Sequence, residues 1–350
     1  MPRVVAPSLL FLLLLLPGLL AAQTVDGDAP STPTLELRGY VVPLYAYEPA
    51  FDYGTLLHET AEAGANAVSI LVVLMQDNAE STQIYAKPHR TCPDDAVRRT
   101  IRQARAEGLA PMLFPIVLLE NPQGDDWRGS LRPATVHDWF ESYRTWMRHY
   151  ARMAREEGCA WMSVGSELSS MEQHGAEWRE TIAAVRTEFP GSLLYSANWD
   201  HIDGPDGWWT ELDAMGLSSY YEIARTPDAT QAELDAGWRE WRDWVLEWHA
   251  HLAPNLPIVF TELGYPSRDG GAMKPWDYTT DAPVDLEEQR MAYRAFIAAW
   301  DGRPEMHGVF AYAWVNFGKN EESSYALRGK PAAELLKNWY RPQRVHLTEP

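Results

Sequence analysis

The stretch Val259-Phe260-Thr261-Glu262-Leu263-Gly264-Tyr265 decides how the chain is read. Pro257 opens an apolar, β-rich run from Ile258 to Phe260, which stops at a carboxylate before Gly264 and Pro266 break the chain. A buried strand that ends in a glutamate and a turn delivers one charge to the edge of a sheet. Upstream, Trp161-Met162-Ser163-Val164-Gly165-Ser166-Glu167 repeats the design. Taken alone, either glutamate reads as a surface residue just past a strand. Their meaning depends on whether one sheet brings the two together.

Six more strand candidates flank these two, and helical patterns alternate with them. The eight are Leu35 to Val42, Ala67 to Met75, Ala110 to Leu118, Ala160 to Val164, Leu193 to Ala197, Ala214 to Ser219, Ile258 to Thr261 and Gly308 to Trp314. The second is almost continuously apolar, which suits a parallel strand buried on both faces. Helices are expected over residues 94–107, 134–157, 175–189, 228–253, 284–300 and 331–340, with at most two turns between strands five and six. In 228–253, Leu234, Trp238, Trp241, Val245, Trp248 and Leu252 recur at steps of four and three. That spacing makes the tryptophans a core-facing stripe rather than a sugar platform. Eight alternations predict a single-domain (β/α)8 TIM barrel over residues 35–350. An open doubly wound sheet is the alternative, and no Gly-rich phosphate loop supports it.

Residues 1–22 read as a secretory signal peptide, with Arg3 before an apolar Leu9–Leu16 core and Ala21-Ala22 for cleavage. Residues 23–34, rich in Asp, Pro, Ser and Thr, read as a flexible leader. The expectation is a secreted or periplasmic monomer with no stable membrane insertion after cleavage. A net charge of −19 argues against nucleic acid and anionic membrane as partners. Cys92 and Cys159 are the two cysteines. The layout puts them at opposite ends of the barrel, so no disulfide is expected. No Cys/His cluster has zinc spacing, so neither metal nor cofactor is expected.

A barrel places every strand's C-terminal end at one mouth, so Glu167 and Glu262 would meet there. Two carboxylates across one cleft are the apparatus of glycoside hydrolysis, one as proton donor and one as nucleophile or base. Polar and aromatic side chains gather at the same mouth: Gln76, Asp77 and Asn78 after strand two, Asn198, Trp199, Asp200 and His201 after strand five. Tyr220, Tyr221 and Glu222 follow strand six, Trp276 and Tyr278 follow strand seven, and Trp314, Asn316 and Phe317 close strand eight. Amides and carboxylates hydrogen-bond sugar hydroxyls, and aromatic rings stack on pyranose faces. The candidate substrate-binding residues are Asn198, Trp199, Tyr220, Trp276, Trp314 and Gln76, and the partner is a carbohydrate.

Glutamates ending strands four and seven, with an aromatic at strand eight, resemble glycoside hydrolase clan A. More narrowly, the chain resembles family 113, the β-mannanase-type hydrolases, over about residues 36–340. The matching segments are Val164-Gly165-Ser166-Glu167-Leu168, Trp127-Arg128-Gly129, Trp139-Phe140 with Tyr143, Phe260 to Tyr265, and Glu287-Glu288-Gln289 with Tyr293. The resemblance implies a retaining mechanism with Glu167 as acid/base and Glu262 as nucleophile. It also implies that Tyr220 bonds the nucleophile and that Trp314 floors a sugar subsite. Strand three departs from the family's Leu-Lys-Pro-His pattern, reading Leu113-Phe114-Pro115-Ile116. The function expected is hydrolysis of a β-linked hexopyranose polymer or oligosaccharide, β-mannan-like first. A non-catalytic carbohydrate-binding barrel in exopolysaccharide handling and a transglycosylase using the same glutamates are the alternatives.

Overall fold

The computed structural model describes residues 37–45, 50–201, 207–317 and 321–341. The expected signal peptide and leader lie outside the described residues. Eight strands form the barrel: β1 (Leu37–Pro43), β2 (Ala67–Gln76), β3 (Ala110–Leu119), β4 (Trp161–Ser166), β5 (Ser192–Ala197), β6 (Ala214–Ser219), β7 (Ile258–Leu263) and β8 (Met306–Ala311). Each pairs in parallel with the next, and β8 closes on β1 through Leu37 opposite Gly308. A two-residue strand, Ile84–Tyr85, runs antiparallel on the end of β2. The helices are α1 (Gly54–Glu62), α2 (Asp94–Ala106), α3 (Val136–Glu157), α4 (Gly175–Glu188), α5 (Gln231–Leu252), α6 (Leu286–Trp300) and α7 (Pro331–Tyr340). Among the described residues between β5 and β6 there is only a 3-10 turn, Trp208–Glu211, as the short connection predicts. The helix α1 was not legible in the sequence, because its nine residues bury only Leu56, Leu57 and Thr60 and so show no stripe.

Strand period two sorts the core into two layers. Leu71, Val73 and Met75 of β2 and Met112, Phe114 and Ile116 of β3 fill the barrel's interior. Ile70, Val72 and Leu74, with Leu113 and Val117, face the helices. All ten residues of β2 are buried, which is why it reads as an unbroken apolar run. The tryptophan stripe of α5 is core, as its spacing predicts: Leu234, Trp238 and Val245 are buried, and the Trp238 ring meets Phe296 at 5.0 Å. Cys92 and Cys159 are both free thiols, and burial pushes them up to about 11 and about 12. Among the described residues no helix is long and apolar enough to cross a membrane.

Candidate active site

Both glutamates reach the mouth on bulged strands. On β4 an extra residue enters between Ser163 and Ser166 relative to β5. On β7 an extra residue enters between Phe260 and Glu262 relative to β6. Val259 faces the barrel interior while Phe260 and Leu263 face the helices. Strict alternation would turn Glu262 outward with Phe260. The bulge lets Thr261 bond Ser196 at 2.6 Å and still aims Glu262 at the cavity.

The turn that carries Glu167 is tied down from several sides. Glu167 N donates to Ser196 O at 2.8 Å, Leu168 N donates to the Tyr195 hydroxyl at 2.9 Å, and the Tyr143 hydroxyl donates to Val164 O at 2.8 Å. Glu167 itself has φ +54°, in the left-handed region. Such a conformation costs a non-glycine residue roughly 1–3 kcal/mol and persists where the surroundings over-determine it.

Glu167 and Glu262 are 4% and 3% exposed, so both carboxylates sit at the buried base of the site. The Tyr220 hydroxyl donates to Glu262 Oε2 at 2.5 Å, while Oε1 is buried without a partner. Gly264 makes the Tyr220 contact possible, since a Cβ there would stand 2.6 Å from the Tyr220 ring. Burial, and then the charge of Glu167, push the Glu262 carboxyl up to about 7, against the opposing pull of Arg128 and Tyr220. The guanidinium of Arg128 is ion-paired with Glu167, Nη2 donating to Oε2. Tyr45 and Tyr312 share a hydrogen bond beside the pair, and Tyr45 is pushed up to about 12 by burial and then by Glu262.

A cavity of about 1200 Å³ opens above the carboxylates. Asn198, Trp199, Tyr220 and Trp276 line it, as expected. Trp276 is half-exposed, with Nε1 donating to Glu222 Oε1 at 3.1 Å. The loop that carries it is braced by the buried Arg268, which donates to the carbonyls of Asp277 and Thr280. Asn198 does not hold either glutamate; its amide donates to Asp200 and accepts weakly from Ser218.

Gln76 and Trp314 are not at the cavity, and both expectations are corrected. Gln76 is fully buried, accepting from Trp139 Nε1 at 2.7 Å and donating to Asn78 O at 2.8 Å, so its amide is spent on the fold. Strand β8 ends at Ala311, and Trp314 turns outward to pack edge-on against Tyr40 at 4.9 Å and donate to Glu59 at 3.0 Å. Tyr312, Ala313, Val315, Asn316 and Phe317 line the cavity in its place. The two apolar positions of strand three also part company. Ile116 lines the cavity, whereas Phe114 is fully buried in the barrel interior below it. Arg128, Tyr45 and Tyr312 went unread as site residues. The Trp127-Arg128-Gly129 match was the available signal for the first; the tyrosines follow strands whose apolar pattern says nothing of what comes next.

A closed eight-stranded parallel barrel with two buried glutamates at the ends of its fourth and seventh strands, under an aromatic-rimmed cavity, is the architecture of a clan A glycoside hydrolase. Comparison with known proteins agrees. Residues 50–330 match the sequence model of Glycoside Hydrolase Family 113, and the chain belongs to that family. It is similar to the GH113 β-mannanase AaManA from Alicyclobacillus acidocaldarius, solved in complex with ManMIm. The two are 29% identical with a TM-score of 0.75, over 87% of this chain and 96% of that one. A GH113 β-1,4-mannanase in a complex structure shares the fold at 24% identity and a TM-score of 0.77, over 88% of this chain and 99% of that one. A β-glucuronidase from Ruminococcus gnavus, bound to D-glucuronic acid, shares the fold alone at 16% identity and a TM-score of 0.55. That match covers 88% of this chain and 49% of that one. No curated protein matches the sequence.

Proposed function

We propose that this hydrolase is secreted, by way of a signal peptide at residues 1–22, and cleaves β-linked hexopyranose chains, β-1,4-mannan first, with retention. The observation that carries the mechanism is the state of Glu262. One of its oxygens is held by Tyr220, and the other is buried, unpartnered and at the cavity. That free oxygen attacks the anomeric carbon and forms a glycosyl ester, while the bond to the leaving oxygen breaks and Glu167 supplies that oxygen's proton. Glu167, then ionised, takes a proton from water as the water attacks the anomeric carbon. The ester breaks and Glu262 is released as a carboxylate. The similarity to the two mannanases supports mannan as the substrate. Asn198 and Trp276 line the cavity, which supports them as the side chains that bond and stack on the chain.

One side of the cavity bears on how well plain mannan is used. Leu71, Val73, Met75, Ile116 and Leu118 make it apolar. A sugar hydroxyl facing that wall finds no donor or acceptor, a loss of about 1–3 kcal/mol, or roughly tenfold to hundredfold in rate. Weak activity on plain mannan follows. The test is a polysaccharide panel read by reducing-end release, with Glu262→Gln as the blank. Release from a β-mannan by the wild type alone supports the reading, and no release from any β-hexopyranose polymer overturns it.

A further inference from the structure

Arg128 is presented to the carboxylate pair by a turn that has little freedom to move. Ser130 Oγ accepts from Trp127 N at 3.0 Å and donates to Trp127 O at 3.1 Å. Outside that pair, Asp126 and Arg132 join through two hydrogen bonds of 2.6 and 2.9 Å. Arg132 N and Ala134 N donate to the carbonyls of Ala79 and Glu80, fastening the turn to the loop after β2. Gly129 lies under the Trp127 ring, where a Cβ would come within 2.2 Å of it. The ring in turn lies 5.7 Å from the Arg128 guanidinium.

The two carboxylates therefore meet unequal partners. Glu167 touches a cation, with the Arg128 side chain only 17% exposed. Glu262 touches a neutral hydroxyl through one oxygen and nothing through the other. Two close, buried carboxylates do not both ionise cheaply, so one proton is shared at moderate pH. A direct ion pair stabilises the anion more than a neutral donor does. We propose that Arg128 decides which carboxylate carries that proton: in the empty enzyme it holds Glu167 as the anion and leaves the proton on Glu262. This rests on the double-displacement reading, whose first step needs the reverse arrangement. A bound glycan must therefore part Arg128 from Glu167 before chemistry begins, which makes Arg128 a positioning residue for the proton.

Among the described residues no other group near the pair takes over this role. Tyr45, Tyr220 and Tyr312 face it from β1, β6 and β8, and burial pushes all three hydroxyls up, so they stay neutral. Farther out in the cavity, Asp126 is spent on Arg132, Asp200 on Asn198, Glu222 on Trp276 and Arg268 on backbone carbonyls. Arg90 and Asp281 stand exposed at its rim.

The test is made on the empty, full-length enzyme, so it does not depend on the substrate being right. Glutamate labelled with 13C at the side-chain carboxyl is titrated by NMR, with Glu167→Gln and Glu262→Gln assigning the two signals. In the wild type at pH 6, the Glu262 signal is expected at the protonated position and the Glu167 signal at the ionised one. Arg128→Gln should raise the protonated fraction of Glu167 at that pH by about tenfold or more. Arg128→Lys, which keeps the charge, should preserve the wild-type order. A wild-type enzyme with the proton on Glu167 overturns the proposal whether or not the variants fold. So does an Arg128→Gln variant, folded by circular dichroism, with unchanged occupancies.

Discussion

Replacing Glu262 by glutamine should stabilise the protein, and only where the carboxylate would be charged. The Glu262 carboxyl lies at about 7 against an ordinary value of 4.5, with burial the first cause and the Glu167 charge the second. A carboxyl raised on folding binds more protons folded than unfolded. Its effect on stability is therefore nil below the unfolded value, and it destabilises progressively as pH climbs from there to the folded value. At ~1.4 kcal/mol per tenfold change, the full penalty is about 3 kcal/mol, reached near pH 8. Glutamine removes the charge, keeps the shape and still offers Tyr220 an oxygen to donate to. With ~2.1 cal/mol/K per residue of unfolding entropy, 3 kcal/mol in a chain of this size is a rise of roughly 4 °C in Tm. Melts of wild type and Glu262→Gln, followed by circular dichroism from pH 4 to pH 8 at one scan rate, measure the effect. The expected difference is near zero at pH 4 and grows to its full value by pH 8. A difference independent of pH, or a variant less stable at pH 8, would refute the reasoning.

Other outcomes are equally open to measurement. Glu167→Ala should keep its first step on aryl glycosides with good leaving groups and regain turnover with azide; equal inactivity on activated and natural substrates, without rescue, would sink the acid/base assignment. Gly264→Ala should press on the Tyr220 ring and loosen its bond to Glu262, lowering kcat by roughly tenfold or more with the fold intact by circular dichroism; an unchanged kcat counts against that role. Ile116→His should raise activity on plain mannan about tenfold or more, whereas Phe114→Lys buries a charge below the cavity and should lower Tm without any such gain. Both thiols should stay inert to Ellman's reagent until the protein unfolds, and fast labelling of the native enzyme would contradict their burial.

Much of this architecture was legible because β strands and buried helices leave periodic traces. The unbroken apolar run of β2 and the tryptophan spacing of α5 have direct counterparts in the two core layers. Parallel strand direction also places Glu167 and Glu262 at one mouth, since all strands in such a barrel point the same way. What escaped depends on where a chain turns after a strand stops. Trp314 follows β8 by three residues, and nothing local says that it faces Tyr40 rather than the cavity. Gln76 looked like a mouth residue because it ends β2, but Trp139 on α3 claims its amide, a partner 63 residues away. Arg128 sits on a 3-10 turn of three residues with no periodicity to betray it.

The bulge on β7 deserves to be seen as a shift of reading frame. A strand is a two-letter text, inside then outside, and the barrel reads it from Ile258 onward. Between Phe260 and Leu263 the frame slips by one residue, so Thr261 and Glu262 are both read as inside. The direction of the Glu262 carboxylate is thus written in the backbone and not in the identity of its neighbours. Every side chain could be kept and the chemistry still lost, because a backbone that ironed out the bulge and alternated strictly from Phe260 would send Glu262 toward the helices. Sequence change in this enzyme is therefore constrained by backbone register as well as by side-chain kind. Point substitutions around the cavity can retune the sugar, while loss of the bulge ahead of either glutamate would redirect its carboxylate.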